Sequence, residues 1–163
     1  MLAYLTLSQA IDIHAKTVDI SGGGTKGQFD MGRLESVLLH IQNDDYYPTF
    51  ADKLINLFFF TCKFHCFEDG NKRIAIALSA QFLLLNGYVF LVPEFIRDME
   101  NISYHVAAGS IDRELLGEII KALIHGDEEE ESLKLKIISA ITNAEYAKDY
   151  STQNAPGDEA ARA

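Results

Sequence analysis

The sequence has few of the residues that mark several common protein classes. It contains two cysteines, three prolines and no tryptophan among 163 residues. Two cysteines are too few for a disulfide scaffold, and three prolines with 11 glycines argue against a loop-rich or low-complexity chain. The most apolar run, residues 54–61, is far shorter than the roughly 20 residues of a membrane-spanning helix. Charged residues interrupt residues 1–20, so no signal peptide is expected. We therefore expect a soluble cytoplasmic protein without a membrane partner.

Positive charge is scarce. Fourteen Lys and Arg residues stand against 24 Asp and Glu residues, which gives a net charge of −10. Sequence-independent binding to nucleic acid depends on cations that neutralise phosphates, so no direct nucleic-acid contact is expected. Residues 1–125 have a net charge of −5, and the much shorter stretch 126–163 has the same. We therefore divide the chain into a domain over 1–125, an acidic linker with an extra helix over 126–148, and a disordered tail over 149–163.

Apolar residues are abundant. They make up 48% of the chain and include 10 Phe and 7 Tyr, enough for a real core. Their spacing is helical, and strand-like alternation is nearly absent. Residues 88–92 are expected to form a short extended piece. The sequence predicts an all-α fold of about six core helices plus a C-terminal helical extension, with helices over residues 6–20, 31–42, 49–64, 71–86, 93–108, 112–125 and 133–147.

Two of these helices, 49–64 and 71–86, have almost no polar face and should be buried centrally. Between them lies the densest polar stretch of the chain, His65-Cys66-Phe67-Glu68-Asp69-Gly70-Asn71-Lys72-Arg73. The first backbone N–H groups of a helix lack intrahelical partners, and the helix dipole makes that end attractive to anions. Gly70 allows close approach of a ligand, and Lys72 and Arg73 add positive charge. A phosphate site at the start of the fourth helix is the result.

Other side chains of this stretch suggest phosphoryl chemistry. Asp69, ranked above Glu68, offers hard oxygen ligands for Mg²⁺ beside the phosphate site. His65 is a candidate general base, because histidine titrates near neutral pH. Phe67 is expected to be structural and to anchor the loop in the core. The alternatives are a capping or core histidine, an ordinary Asp-Gly-Asn turn and a solvated first helical turn.

Two further features allow more than one interpretation. Cys62 and Cys66 stand four residues apart, so a zinc site with His65 is conceivable, although zinc usually takes four such ligands. Two free thiols are the preferred interpretation. The glycine-rich loop 21–29 is either a plain linker or a flap that faces a substrate.

The pattern His65-x-Phe67-x-Asp69-Gly70-Asn71-Lys72-Arg73 resembles the signature of the Fic/Doc superfamily, and specifically its death-on-curing (Doc) toxin branch. The resemblance covers roughly residues 4–125. Outside the motif it involves Leu5-Thr6-Leu7, Ile13-His14, Gly22-Gly23-Gly24, Gly32-Arg33-Leu34-Glu35-Ser36, Pro48-Thr49 and Leu83-Leu84-Leu85-Asn86-Gly87-Tyr88.

This resemblance implies an all-helical Fic fold that uses ATP and Mg²⁺. By the motif match, His65 is the base that activates a Ser, Thr or Tyr hydroxyl of a protein target. Asp69 is the Mg²⁺-linked acid. Gly70 contributes loop backbone, and the nucleotide phosphates are held by Asn71, Lys72 and Arg73.

Departures from the AMP-transferring pattern favour the Doc branch. Those enzymes usually have Gly where this chain has Lys72, and a second Arg where it has Ile76. The resemblance then implies transfer of the γ-phosphoryl group of ATP, with elongation factor Tu as the target and inhibition of translation as the outcome. Cys66 replaces the usual Pro, with a small expected effect. The alternatives are an AMP transferase with the same fold and a catalytically weak binding module.

Regulation is also suggested by the resemblance. No inhibitory [ST]-x-x-x-E-[GN] segment is found, so a separate Phd-type antitoxin is the expected partner. The extension 126–163 is absent from short Doc chains. It could be a self-docked brake, a partner-binding helix or a stabilising addition, and we favour the last.

Overall fold

The computed structural model describes residues 1–28, 30–67, 70–126 and 130–153. Within these ranges the chain is helical, and its one β feature is an isolated bridge between Gln28 and Phe67. The predicted all-α class is confirmed. The helices are α1 (Leu7–Ile20), α2 (Met31–His40), α3 (Phe50–Lys63), α4 (Asn71–Leu85), α5 (Val92–Ala108), α6 (Arg113–His125) and α7 (Glu130–Gln153), with a 3₁₀ turn at Val89–Leu91 before α5. None of the helices in these ranges is both long and apolar enough to cross a membrane.

Helix starts are encoded locally by capping residues. Thr6 and Gln9 form the expected capping box of α1, and Thr49 and Asp52 form a second one at α3. At α6 the cap is Asp112, whose side chain accepts from the Leu115 N–H. Each cap satisfies backbone N–H groups that the helix itself cannot pair.

Two elements differ from the prediction. The segment expected to be extended, 88–92, is instead a 3₁₀ turn that leads into α5. Helix α7 spans Glu130–Gln153 rather than the predicted 133–147, so residues 149–153 are helical and not part of the expected tail. Lys134 pairs with both Glu130 and Glu131, at 2.9 and 3.6 Å, and this pairing offsets the repulsion between the two carboxylates. Acidic residues also suit a helix N-terminus. The remaining predicted tail, 154–163, and residues 127–129 lie outside the described ranges.

Helix α3 is the central element. It packs against α2, α4, α5 and α6, and its Leu54, Leu57 and Phe58 are completely buried. Helix α4 packs in turn against α1, α3 and α5. The segment between α3 and α4 is therefore held at both ends by the core.

The end of α4 is fastened to the start of the chain. The side-chain amide of Asn86 accepts from the Ala3 N–H at 2.9 Å and donates to the Ala3 carbonyl at 2.9 Å. The same amide also donates to the Phe82 carbonyl. One asparagine thus fixes the segment that precedes α1.

A buried lysine joins α3 to the end of α2. Lys53 is 1% exposed, and its ammonium group donates to the Ile41 carbonyl at 2.9 Å and to Asp44 at 2.7 Å. Burial opposes its charge, but the hydrogen bond to Asp44 and the nearby Tyr4 outweigh that effect and raise the pKa of Lys53. The ammonium group therefore stays charged.

We expect Lys53→Met to lower the free energy of unfolding by about 2 kcal/mol, because the buried Ile41 carbonyl loses its donor. Chemical denaturation would measure the change. Lys121→Met is the control. Lys121 is exposed and lies 3.7 Å from Asp52, and surface pairs of this kind contribute at most about 1 kcal/mol. Equal losses in the two variants would contradict the assigned role of Lys53.

Helix α7 packs on α6. Its Leu133 is buried, Ile137 lies against the core, and Lys136 pairs with Glu118 of α6 at 2.7 Å. Its other side is open: Leu135, Ile138, Tyr146 and Tyr150 are exposed. These contacts fit the favoured interpretation of a stabilising addition, which stays a prediction.

Deleting residues 127–163 is expected to lower the melting temperature and to leave the transfer rate unchanged. The deletion uncovers apolar side chains of α5 and α6 that α7 now covers, among them Ile102 and Ile119, which line a cavity of about 400 Å³ with Leu133. Thermal denaturation and a transfer assay would test this. A faster rate would indicate a brake, and an unchanged melting temperature would reject the stabilising role.

Candidate active site

The candidate site is the motif loop, residues 65–70, with the first turn of α4. His65 follows the C-terminal end of α3, and its side chain is exposed. Its φ angle is +43°. In the described ranges, His65 is the one residue other than glycine with a positive φ angle. A side chain in this region is strained, and such strain is concentrated at functional sites. The loop thus presents an accessible imidazole at the cost of an unfavourable backbone conformation.

Phe67 fixes the centre of the motif loop. It is 1% exposed, and its ring stacks on the ring of His14 from α1, with centroids 3.7 Å apart and planes 10° from parallel. The Phe67 N–H donates to the Asn71 side-chain oxygen at 3.1 Å, and the Asn71 amide nitrogen donates to the Phe67 carbonyl at 2.8 Å. Both ring and backbone of Phe67 are therefore held.

The glycine-rich loop lies against the motif loop. Gln28 forms an antiparallel bridge with Phe67, and the Asp30 N–H donates to the Cys66 carbonyl at 3.1 Å. The loop ends where Asp30 caps α2 by accepting from the Arg33 N–H. These contacts put Gln28 and Asp30 beside the site, which a flap requires and a plain linker does not. Phe29 lies outside the described residues.

Helix α4 starts without a side-chain cap. Its N-cap is Gly70, which has a φ angle of +78° and offers no side chain to the first N–H groups. Lys72 is exposed and Arg73 is half-buried on the first turn. An uncapped helix N-terminus with two cations is suited to an anion, as the sequence predicts for this end of α4.

Ile76 lies one turn after Lys72 on the same side of α4. It is half-buried and packs against the core. The place where AMP-transferring relatives are expected to carry a second arginine is therefore occupied by an apolar side chain that is part of the packing.

Asp69, the expected Mg²⁺-linked acid, and Glu68 lie outside the described residues. Within the ranges that the structure does describe, no group of three or more His, Cys, Asp or Glu side chains could hold a metal ion. Gly70, Asn71, Lys72 and Arg73 are brought together on the first turn of α4, and His65 precedes them on the loop.

The two cysteines are buried free thiols. Burial raises the pKa of Cys62 from 9.0 to about 12, although Lys72 and Lys63 lower it in part. Burial and the charge of Asp30 raise the pKa of Cys66 to about 11. The protonated form is favoured in both, so neither thiol is a ready nucleophile.

We expect both cysteines to resist iodoacetamide near neutral pH until the protein unfolds. The folded state also holds the thiol protons more tightly than the unfolded chain does, and this difference stabilises the fold. The stabilisation is complete below pH 9.0, and it is lost as the pH rises toward about 11 and 12. Denaturation at increasing pH would show the decline, and Cys62→Ala should weaken it. Rapid labelling of the native protein would contradict the burial of the thiols.

Two side chains have contacts that sequence reasoning did not anticipate. Asn71 is predicted to hold phosphates, yet its side-chain amide is bonded to Phe67, which leaves its backbone N–H as its group for binding a phosphate. His14 of α1 is buried and stacks on Phe67, which lies more than 50 residues later in the chain. No local signal could reveal that contact, because it depends on how α1 packs on α4.

In the described ranges the chain is an all-helical domain in which an exposed histidine and the cationic N-terminus of α4, whose N-cap Gly70 has no side chain, follow the buried helix α3. Residues 4–83 match the family model described as Fic/DOC family, which spans the chain from just before α1 nearly to the end of α4. This match agrees with the predicted superfamily and does not separate the Doc branch from the others. No curated protein matches the chain.

Proposed function

We propose that this protein transfers the γ-phosphoryl group of ATP to a hydroxyl group of a protein target. The match of residues 4–83 to the Fic/DOC family model supports a protein-modifying activity in general. The observation that favours phosphoryl over AMP transfer is the pair formed by Lys72 and Ile76. Lys72 is exposed on the first turn of α4. One turn later, where a second arginine would add a cation, Ile76 is a half-buried apolar side chain that packs against the core.

His65 is the proposed general base. Its imidazole takes the proton of the target hydroxyl as the hydroxyl oxygen bonds to the γ-phosphorus. The bond from that phosphorus to the bridging oxygen breaks, and ADP leaves. The exposure of His65 allows a protein side chain to reach it, and Cys66 and Phe67, which follow it, are buried in the core.

The phosphates would be held by the first turn of α4. The backbone N–H groups after Gly70, including that of Asn71, would donate hydrogen bonds to the phosphates. Lys72 and Arg73 would add positive charge. Asp69 is proposed to supply a carboxylate to Mg²⁺, a hard cation that prefers oxygen ligands. When bound, Mg²⁺ would neutralise charge on the phosphates.

The proposed target is elongation factor Tu, by family resemblance, and the consequence would be inhibition of translation. A Phd-type antitoxin is the proposed partner that restrains the protein in trans. Direct contacts with nucleic acid or membranes form no part of the proposal.

The test uses purified elongation factor Tu and ATP labelled at either the γ- or the α-phosphate. Label from the γ-position alone on the target is expected, and mass spectrometry should find the mass of one phosphoryl group. Label from the α-position would instead establish AMP transfer. No label from either position, with a stable wild-type protein, would reject this target and favour a binding module or another substrate. His65→Ala is the control for contaminating kinases.

A further inference from the structure

His14 occupies an unusual position for a polar side chain. It lies in the middle of α1, is 1% exposed, and is the one histidine in the described part of the chain that is buried. A buried histidine on an apolar helix face is commonly a core residue and no more. What distinguishes His14 is the identity of its neighbours.

The first neighbour is Phe67. The two rings are nearly parallel, with an interplanar angle of 10° and centroids 3.7 Å apart. At this distance the two rings lie almost face to face, in van der Waals contact. The Phe67 ring therefore has a defined surface to rest on, and that surface is the imidazole.

The second neighbour is the turn at Gly70. A Cβ atom placed on Gly70 would lie 3.5 Å from His14 Nε2 and 3.6 Å from Cγ2 of Val18, one turn later on α1. The edge of the imidazole that carries Nε2 thus lies directly behind the turn that starts α4. With Val18, it forms a wall from α1 against which this turn is built.

These contacts involve two residues of the motif, Phe67 and Gly70. Phe67 and Gly70 are the described residues on either side of Asp69, and His65 is two residues before Phe67. One side chain of α1 therefore supports the motif at two positions, Phe67 and Gly70. Catalytic geometry depends on such support, since a displacement of about 1 Å can cost about a hundredfold in rate.

We propose that His14 is a positioning residue of this site, whose ring fixes Phe67 and whose Nε2 edge supports the Gly70 turn. Because its side chain is buried, its proposed action is through the motif rather than on the target or the nucleotide. The effect on rate rests on the proposed function, whereas the effect on the order of the motif loop does not.

Hydrogen–deuterium exchange of the full chain tests the structural part. In His14→Ala, amides of the motif loop and the first turn of α4 are expected to exchange at least about tenfold faster, while α5 and α6 exchange no faster than in the control. The control is Ile120→Ala in α6, another fully buried truncation that does not adjoin the motif loop. His14→Phe keeps a ring for the stack and should retain most of the protection.

The transfer assay adds the functional part. His14→Ala should lower kcat by about tenfold or more, and Ile120→Ala should not, when both are assayed below their melting temperatures. The proposal is overturned if exchange in His14→Ala rises evenly through the protein, or if His14→Phe loses as much loop protection as His14→Ala. A wild-type protein without transfer activity would reject the proposed function, and the exchange experiment would still decide the role of His14.

Discussion

His65→Gly is expected to yield a protein that is inactive and yet more stable than the original. His65 has a φ angle of +43°, a conformation that costs a residue with a side chain about 1–3 kcal/mol. Glycine adopts it freely but loses about 0.5–1 kcal/mol more entropy on folding. The net gain should be about 1 kcal/mol, or a rise of about 2–4 °C in the melting temperature.

Loss of activity follows from the loss of the base. General base catalysis by a positioned histidine contributes about 100- to 10,000-fold to a rate, and no other histidine in the described ranges lies on the motif loop. Label transfer from ATP would measure the loss, and calorimetry would measure the melting temperature.

His65→Ala separates the two effects. Alanine removes the imidazole but keeps a Cβ, so it should be as inactive as His65→Gly without its gain in stability. If the glycine variant is no more stable than the alanine variant, the backbone at this position is not strained. If either variant keeps full activity, His65 is not the base.

Asn71→Ala is expected to cost both stability and activity. It removes the two hydrogen bonds that hold the Phe67 backbone, at 3.1 and 2.8 Å. Both hydrogen bonds are partly buried, so water replaces the lost partners of the Phe67 N–H and carbonyl only in part. Unpaired buried groups cost about 1–3 kcal/mol each. We expect a loss of about 2 kcal/mol in chemical denaturation, together with a large fall in the transfer rate.

Asn71→Asp distinguishes loop positioning from phosphate binding. A carboxylate can still accept from the Phe67 N–H but cannot donate to its carbonyl. It also places negative charge on the first turn of α4, which suits the helix dipole but repels phosphates. Stability should therefore fall less than in Asn71→Ala, and the affinity for ATP should fall more. If the variant that loses more stability also loses more affinity for ATP, loop positioning and phosphate binding are not separate roles of Asn71.

Much of the fold could be predicted because its signals are local. Thr6 with Gln9 and Thr49 with Asp52 mark helix starts within four residues of sequence, and the apolar character of α3 and α4 predicts that they are central. The predicted start of α7 was too late. In the fold, Lys134 pairs with Glu130 and Glu131 and offsets the repulsion between these two acidic residues.

The candidate site was predictable in composition but not in its internal support. A motif of nine residues identifies the histidine, the glycine and the cations. It does not reveal that Asn71 binds Phe67, that His65 is strained or that His14 lies behind both Phe67 and Gly70. Those facts depend on backbone angles and on packing between distant helices, which spacing along one segment does not record.

The asparagine at the other end of α4 has a consequence for chemical ageing. Asn86 is followed by Gly87, a pair prone to deamidation because an unhindered glycine nitrogen can attack the side-chain amide. In the fold that nitrogen donates to the Leu84 carbonyl, which withholds it from the reaction. An unfolded chain has no such protection. Once the amide has become a carboxylate, it can no longer donate to Ala3. Each episode of unfolding thus exposes this protein to a lasting covalent change that would loosen the segment before α1.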